Sequence, residues 1–498
     1  MQNPHRSLGF WVQTGLLAGP FMSMIDSSVV NVALPAMTIS LHTTFTAVQW
    51  VASAYLLALG LGTTATAYIA RRWGTQRAYG ISLAGFTISS GLCAVSPTLP
   101  VLVSLRVVQG LFGAILVPLA MNVLLGSTKA RAQMSAAAGM ALFLAPAIGP
   151  AVGGLLIRWS GWPSVFLMNV PVGLVAFYGA RRIPSSLVPP ATGSVRFDVV
   201  GFGLLAAGMV GISYGGAKAP AMGWLASSVW PYWSAGVASV VGYGLWAPRV
   251  RQPIVDLVLF RRRPAVISFL IMALVSIVTF AMVFLTPAFM QEVQGRTAVT
   301  AGLTLLPQGL LTGFGTWIGM LLPRRWGLRR TAAVGMALLT AGTVGLLLIT
   351  ATSSPFLIAA ILCGRGFAIG LVVQPLLTGL ITGLPSAQVA DANTLFNVGE
   401  RISGTLGIAL IVTLFQEREH TRIRAALTRA GIRPPTLAGQ AARVARVLPP
   451  TVRHQVAAAA TQGFHDVVWW VVGLSALGLL LTGGVAHDPA TDGVDTGP

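Results

Sequence analysis

Residues 264–288 read PAVISFLIMALVSIVTFAMVFLTPA, a run without a single charge that is entered through Arg261, Arg262 and Arg263. A helix needs ~20 mostly apolar residues to cross the hydrocarbon of a bilayer, so this run spans a membrane. Comparable runs lie near 9–35, 45–70, 78–96, 99–126, 133–157, 164–183, 198–217, 226–247, 299–322, 331–350, 355–384, 391–415 and 465–486. They are continuous and rich in Gly and Pro, with none of the alternation of barrel strands. A backbone in hydrocarbon must satisfy its own hydrogen bonds, and these runs do so as helices. The expected fold is an all-α integral membrane protein of fourteen spans.

Composition agrees. Apolar residues make up 54% of the 498 residues and charged ones 9%, against about 25% charged in a soluble domain. The net charge of +20 would suit nucleic acid, but its placement points to topology instead. Arg71, Arg72, Arg77, Lys129, Arg131, Arg181, Arg182, Arg196, Arg249, Arg251, Arg261–Arg263, Arg324, Arg325, Arg329 and Arg330 fall in alternate loops, while the intervening loops hold few cations. The positive-inside rule makes the first set cytoplasmic, with both termini. The stretch 416–464 breaks the pattern: it is basic, yet the span count puts it outside. It is expected as a long external loop, with Ala441–Leu448 as an amphipathic helix on the lipid surface. Cys93 and Cys363 sit in apolar runs and read as buried free thiols. The first apolar run is too long for a cleavable signal and reads as a permanent helix.

Arg71-Arg72-Trp73-Gly74, after the second span, recurs as Arg324-Arg325-Trp326-Gly327 after the tenth. Further on, Arg106 opens Arg-Val-Val-Gln-Gly in the fourth span, and Arg365 stands at a similar distance in the second half as Arg-Gly-Phe-Ala-Ile-Gly. Two ordered matches point to duplicated parallel halves, which place a substrate site near the midplane between them. The expected organisation is a six-helix bundle at 1–190, two inserted helices at 191–252 and a second six-helix bundle at 253–498.

Four further stretches resemble the motifs of one known family. Met24-Ile25-Asp26-Ser27-Ser28-Val29-Val30-Asn31-Val32-Ala33-Leu34-Pro35 resembles the family's first-helix signature, and Leu105-Arg106-Val107-Val108-Gln109-Gly110 its fourth-helix motif. Ala145-Pro146-Ala147-Ile148-Gly149-Pro150-Ala151-Val152-Gly153-Gly154 resembles the antiporter motif of the fifth helix, with Ala145 in place of the usual Gly. Trp162-Pro163-Ser164-Val165-Phe166-Leu167-Met168-Asn169-Val170-Pro171-Val172-Gly173 resembles the entry to the sixth. Together these stretches resemble the major facilitator superfamily, specifically its fourteen-helix drug:proton antiporters. The resemblance implies two six-helix bundles plus two additional helices in a cell membrane, exporting amphipathic drugs against protons as a monomer, with no cofactor. One departure concerns the cytoplasmic gate loop, formed by Arg71, Arg72, Gly74 and Arg77 and repeated by Arg324, Arg325 and Gly327. Arg71 stands where the family has an acid, and Ala67 where it has a Gly.

Of the 12 acidic residues, Asp26 and Glu400 lie well inside spans. An ionisable group in hydrocarbon costs at least ~2.5 kcal/mol and usually marks a pathway. A carboxylate whose surroundings change between two conformations can take up and release a proton, so Asp26 and Glu400 are candidate proton sites. Arg106 keeps its charge and acts electrostatically; the resemblance implies that it takes part in proton coupling. The rival readings are a packing or capping role for Asp26, bundle stabilisation for Arg106 and a local ion pair for Glu400. Glu400 and its neighbour Arg401 point to different helix faces. Candidate cavity residues are Asn31, Gln49, Trp50, Tyr55, Asn122 and Gln374, the aromatic ones suited to amphipathic, often cationic ligands. Gly149, Gly153 and Gly154 permit close helix approach, and Pro146 and Pro150 favour a bend, so this segment serves as a hinge or as packing.

There is no G-x-x-x-x-G-K-[ST] phosphate loop and no His-Glu-x-x-His. Nucleotide-driven transport and zinc hydrolase chemistry thus have no motif behind them, and an ion gradient is the expected energy source. The expected partners are an amphipathic small molecule, protons and lipid, without nucleic acid. A lipid, siderophore or endogenous secondary metabolite is the alternative cargo, and a membrane enzyme or sensor without transport the remote alternative.

Overall fold

The computed structural model describes residues 10–126, 148–183, 197–222, 226–250, 262–382, 386–430 and 450–485, together with 253–254, 257, 260 and 432. In chain order the helices are α1 (Phe10–Ser40), α2 (Phe45–Val48), α3 (Trp50–Trp73), α4 (Thr75–Ala94) and α5 (Leu99–Gly126). Then come α6 (148–160), α7 (Ser164–Leu167), α8 (Asn169–Ala180), α9 (Val199–Met222) and α10 (Trp230–Trp246). The second half holds α11 (Arg263–Glu292), α12 (Ala298–Leu321), α13 (Pro323–Gly345), α14 (Pro355–Ile381), α15 (Ser386–Arg429) and α16 (Pro450–Leu481). No strand occurs among the described residues. A helix lies over each expected run, the start of the run at 133–157 being outside the described residues.

Eight of the described helices are long and apolar enough to cross a membrane. Their outer faces carry large apolar side chains: Phe356 is 87% exposed and Leu480 78%. Such a surface is stable only against hydrocarbon. Inside, one apolar core is drawn mostly from α1 to α8 around Leu16, Phe86, Leu116 and Phe166, with Phe284, Ala288 and Ile408 joining it from the second half. Another is drawn mostly from α11 to α16, around Phe289, Met336, Leu376 and Phe464.

The duplicated motif is one turn built twice. Gly74 has φ 80° and ψ 145°, and Gly327 has φ 76° and ψ 162°. Only glycine adopts this backbone cheaply, which explains why the Arg-Arg-Trp cap ends in Gly both times. The cations of these turns, Arg71, Arg72, Arg77, Arg324 and Arg325, are exposed, and they define a basic end of the molecule. Packing repeats as well. Helices α3 and α5 approach through Gly110, whose side-chain position lies 2.7 Å from the Tyr55 carbonyl; α12 and α14 approach through Gly315, Gly366 and Gly370.

The stretch 416–464 differs from the expected loop. Helix α15 continues to Arg429 and α16 already begins at Pro450, so both run on as an antiparallel pair. Ile423, Leu427, Val456 and Ala460 recur one turn apart and bury a seam between them, which is why the chain stays helical. Arg422 grips Asp466 through Nε at 2.7 Å and Nη2 at 2.9 Å. The expected surface helix at Ala441–Leu448 falls outside the described residues. Because the ion pair is 41% and 28% exposed, Asp466→Asn should cost no more than about 1 kcal/mol, read as thermal unfolding of the purified protein.

The inserted helices form a hairpin fastened at its base by Asp198, whose Oδ1 accepts from the Gly201 amide at 2.8 Å and from Trp246 Nε1 at 2.9 Å. Gly211 and Gly236 let the two backbones touch. Helix α9 then lies against both α15 and α3, with Met209 between Leu57 and Leu61 and with Ile402 beside them. The hairpin therefore buttresses the seam where the two halves meet.

Candidate functional site

Asp26, Arg106, Gln109 and Asn169 are fully buried in the first half. They arrive from α1, α5 and the start of α8, and no water-facing surface is left to any of them. Arg106 Nη1 donates to Asp26 Oδ2 in an ion pair and to Gln109 Oε1 at 2.7 Å. Gln109 Nε2 returns to Asp26 Oδ1 at 3.3 Å, and Asn169 Nδ2 donates to the same oxygen at 3.0 Å. Asn169 is itself tied to Ser90 Oγ at 3.0 Å, and Ser90 donates to the Phe166 carbonyl at 2.9 Å.

The guanidinium is held from its other sides too. Nε donates to the Val51 carbonyl at 2.9 Å, and the Tyr55 ring lies 3.9 Å from Cζ. Tyr55 is fixed by donating to the Ser23 carbonyl at 3.0 Å. Arg106 Nη2 has no partner among the described residues. Two opposite charges so enclosed are stable only while both are present, because removing either strands the other in low dielectric.

The second half holds the other candidates. Glu400 lines a cavity of about 50 Å3 with Ser276, Thr279, Phe280, Ile369 and Phe396, between α11, α14 and α15. Its neighbour Arg401 turns away toward α3, where its Cβ lies against Gly60. Gln374 lines a cavity of about 360 Å3 at the basic end with Arg324, Thr378 and Thr382. Trp50 stacks toward Tyr214 of α9 at 5.8 Å, so it faces the inserted hairpin. Gln49 and Asn31 are buried, and both side-chain polar atoms of Gln49 and Oδ1 of Asn31 have no partner among the described residues. Asn122 lies in α5 with its side chain outside the described residues, as is all of Pro146.

The small residues of α6 serve two neighbours. Gly149 and Gly153 abut Ser28 and Val29 of α1, while Gly154 abuts Ala298 and Gly302 of α12 abuts Pro150. The second set joins one half to the other. The halves also meet where Gln291 Nε2 donates to the Val32 carbonyl at 3.3 Å and where Phe45 packs edge-on against Phe284 at 5.2 Å. All these contacts lie toward the end opposite the basic turns.

Sequence reasoning singled out Asp26, Arg106 and Tyr55, which the fold brings together. It passed over Gln109 and Asn169, although both stood inside quoted motifs. Gln109 follows Arg106 by three residues, which places both on one helix face, and that signal was legible. Asn169 reaches Asp26 only through the packing of α8 on α1 and α4, which no local pattern encodes.

The Major Facilitator Superfamily profile matches residues 16–408. The chain is 30% identical over 435 residues to the "Multidrug resistance protein B homolog" of Mycobacterium tuberculosis (strain ATCC 25618 / H37Rv), covering 85% of this chain and 79% of that one. It is 30% identical over 418 residues to the "Tetracenomycin C resistance and export protein" of Streptomyces glaucescens, covering 80% and 74%. Among solved structures, a bacterial homologue of the lysosomal transporter Spinster in an inward-facing, occupied conformation superposes with a TM-score of 0.64 at 16% identity, covering 97% of each chain. A D-xylose–proton symporter superposes with a TM-score of 0.65 at 12% identity, covering 97% and 99%. With its paired bundles, its buried charge site and these relatives, the chain belongs to the major facilitator superfamily and is a membrane transporter, not an enzyme.

Proposed function

We propose that this transporter exports amphipathic small molecules in exchange for protons by alternating access, with Asp26 as the proton-carrying group. The observation that carries this reading is the closed ion pair of Asp26 with Arg106. A proton arriving on Asp26 would leave Arg106 as a buried, uncompensated cation. The guanidinium must then find another partner or shift its place, so protonation and rearrangement of α1 against α5 are coupled. Gln109 and Asn169 keep the carboxylate oriented while the pairing changes. Export as the direction is supported by the resistance and export proteins among the relatives.

Under the positive-inside rule the basic end is cytoplasmic. The contacts between halves at the opposite end then correspond to an outwardly closed, inward-facing state. Pro150 and Gly154 sit at that closure, so the α6 motif is where the halves part and rejoin. The protein works as a monomer in the cell membrane, each copy carrying its own complete ion pair.

The test is purified protein in proteoliposomes with a fixed pH gradient and a trapped pH dye. Addition of lipophilic cations, neutral drugs or acidic drugs should release protons in a saturable manner for at least one class. Equal proton flux with and without every compound would refute antiport.

A further inference from the structure

The register that lays Arg71-Arg72-Trp73-Gly74 on Arg324-Arg325-Trp326-Gly327 also lays Asp26 on Thr279, with α1 and α11 ending in step. Arg106 of the first half has its counterpart in Arg365 of the second. The duplicated site thus kept its arginine and lost its acid. Geometry agrees: among the described residues Arg365 Nη2 reaches only the Val278 carbonyl, at 3.5 Å, one residue from Thr279.

Arg365 is fully buried, and its Nε and Nη1 have no partner among the described residues. The Thr279 hydroxyl is likewise buried without a partner among the described residues. Thr279 stands in the wall of the small cavity between α11, α14 and α15, and so does Ile369, one turn along α14 from Arg365. Glu400 lines the same cavity but makes no ion pair with Arg365. Buried charges are ordinarily paired, and a guanidinium with two free donors fits a carboxylate in particular. A second cation, Arg401, rests against Gly60 of α3 in the seam between the halves.

We infer that Arg365 and Thr279 form the anchoring point for an acidic group on the transported molecule, so that the cargo is an amphipathic acid. The inference rests on the proposed export function and names its substrate class. A carboxylate or phenolate would occupy the place of the missing acid, with the apolar body lying between the halves. Three arginines, Arg106, Arg365 and Arg401, then stand against Asp26, Glu400 and the cargo's own charge. A lipophilic cation would add a fourth positive charge to a site that already lacks an anion.

Fluorescein and a cationic rhodamine ethyl ester share one xanthene core and differ in charge. Their binding to the purified, detergent-solubilised full chain is read by fluorescence anisotropy, with no gradient applied. Failure here is therefore distinct from failure of proton coupling, which the vesicle assay reads. Wild type should bind fluorescein about tenfold tighter than the ester. Arg365→Lys, which keeps the charge, should retain the preference, and Arg365→Gln should remove it. Thr279→Asp supplies the absent partner: it should abolish the preference and melt at or above the wild-type temperature. Wild type that binds the two dyes equally, prefers the ester or binds neither overturns the inference. So does a Thr279→Asp protein that keeps the preference or melts lower.

Discussion

Replacing Asp26 with Asn should reduce substrate-driven proton flux in proteoliposomes to the level of empty vesicles. Asn cannot carry a proton, while its amide keeps the shape and most of the hydrogen bonds offered by Gln109 and Asn169. The same exchange strands the Arg106 charge in a site with no exposure to water. Breaking a buried pair in this way costs about 3–5 kcal/mol, so the variant should unfold at markedly lower temperature. Arg106→Gln alone should be destabilised likewise, and the double variant less than the sum of the two, because no bare charge remains. The cycle separates chemistry from folding. A single Asp26→Asn variant with wild-type flux ends the proton-carrying role, and additive destabilisation ends the claim that the two charges act as one unit.

Gly302→Leu should hold the transporter open at the end opposite the basic turns. A side chain on Gly302 would occupy the place of the Pro150 carbonyl oxygen, and one on Gly154 would come within 2.6 Å of the Ala298 carbonyl. Backbone cannot move aside as a flexible side chain can, so the clash is relieved only by parting α6 from α12. That costs more than about 3 kcal/mol, over a hundredfold in the balance between conformations. Gln291, which bridges to Val32 across the same closure, is the reporter. In a background with Cys93 and Cys363 replaced, Gln291→Cys should react with a charged maleimide at least about tenfold faster when Gly302 is Leu, and transport should fall by a similar factor. Unchanged labelling would show that this contact does not hold the end shut.

Much of the architecture could be read from residue patterns because each span states itself. Long uncharged runs admit only helices, and the twin Arg-Arg-Trp-Gly turns announced the duplication that Gly74 and Gly327 display in their backbone angles. Asp26 and Arg106 were conspicuous because charge in hydrocarbon is expensive. Their mutual pairing was not, since it depends on how α1 leans on α5. Trp50 shows the opposite case. An aromatic residue near a span end fits a cavity, a membrane belt or a packing contact equally well, and its contact with Tyr214 depends on where the inserted hairpin lies. The stretch 416–464 looked like a loop because its arginines interrupt hydropathy, yet its apolar stripe needed only a second helix to stay ordered.

The buttress formed by α9 has one further consequence. A molecule dissolved in the lipid leaflet could enter a two-bundle transporter sideways through either of the two seams between the bundles. Here one seam, that of α3 and α15, is roofed by the hairpin, with Met209 and Ile402 filling the roof. Among the described residues the hairpin covers no part of the other seam, that of α6 and α12. Two spans that contribute no charge to the ion-pair site thereby make the approach to it one-sided.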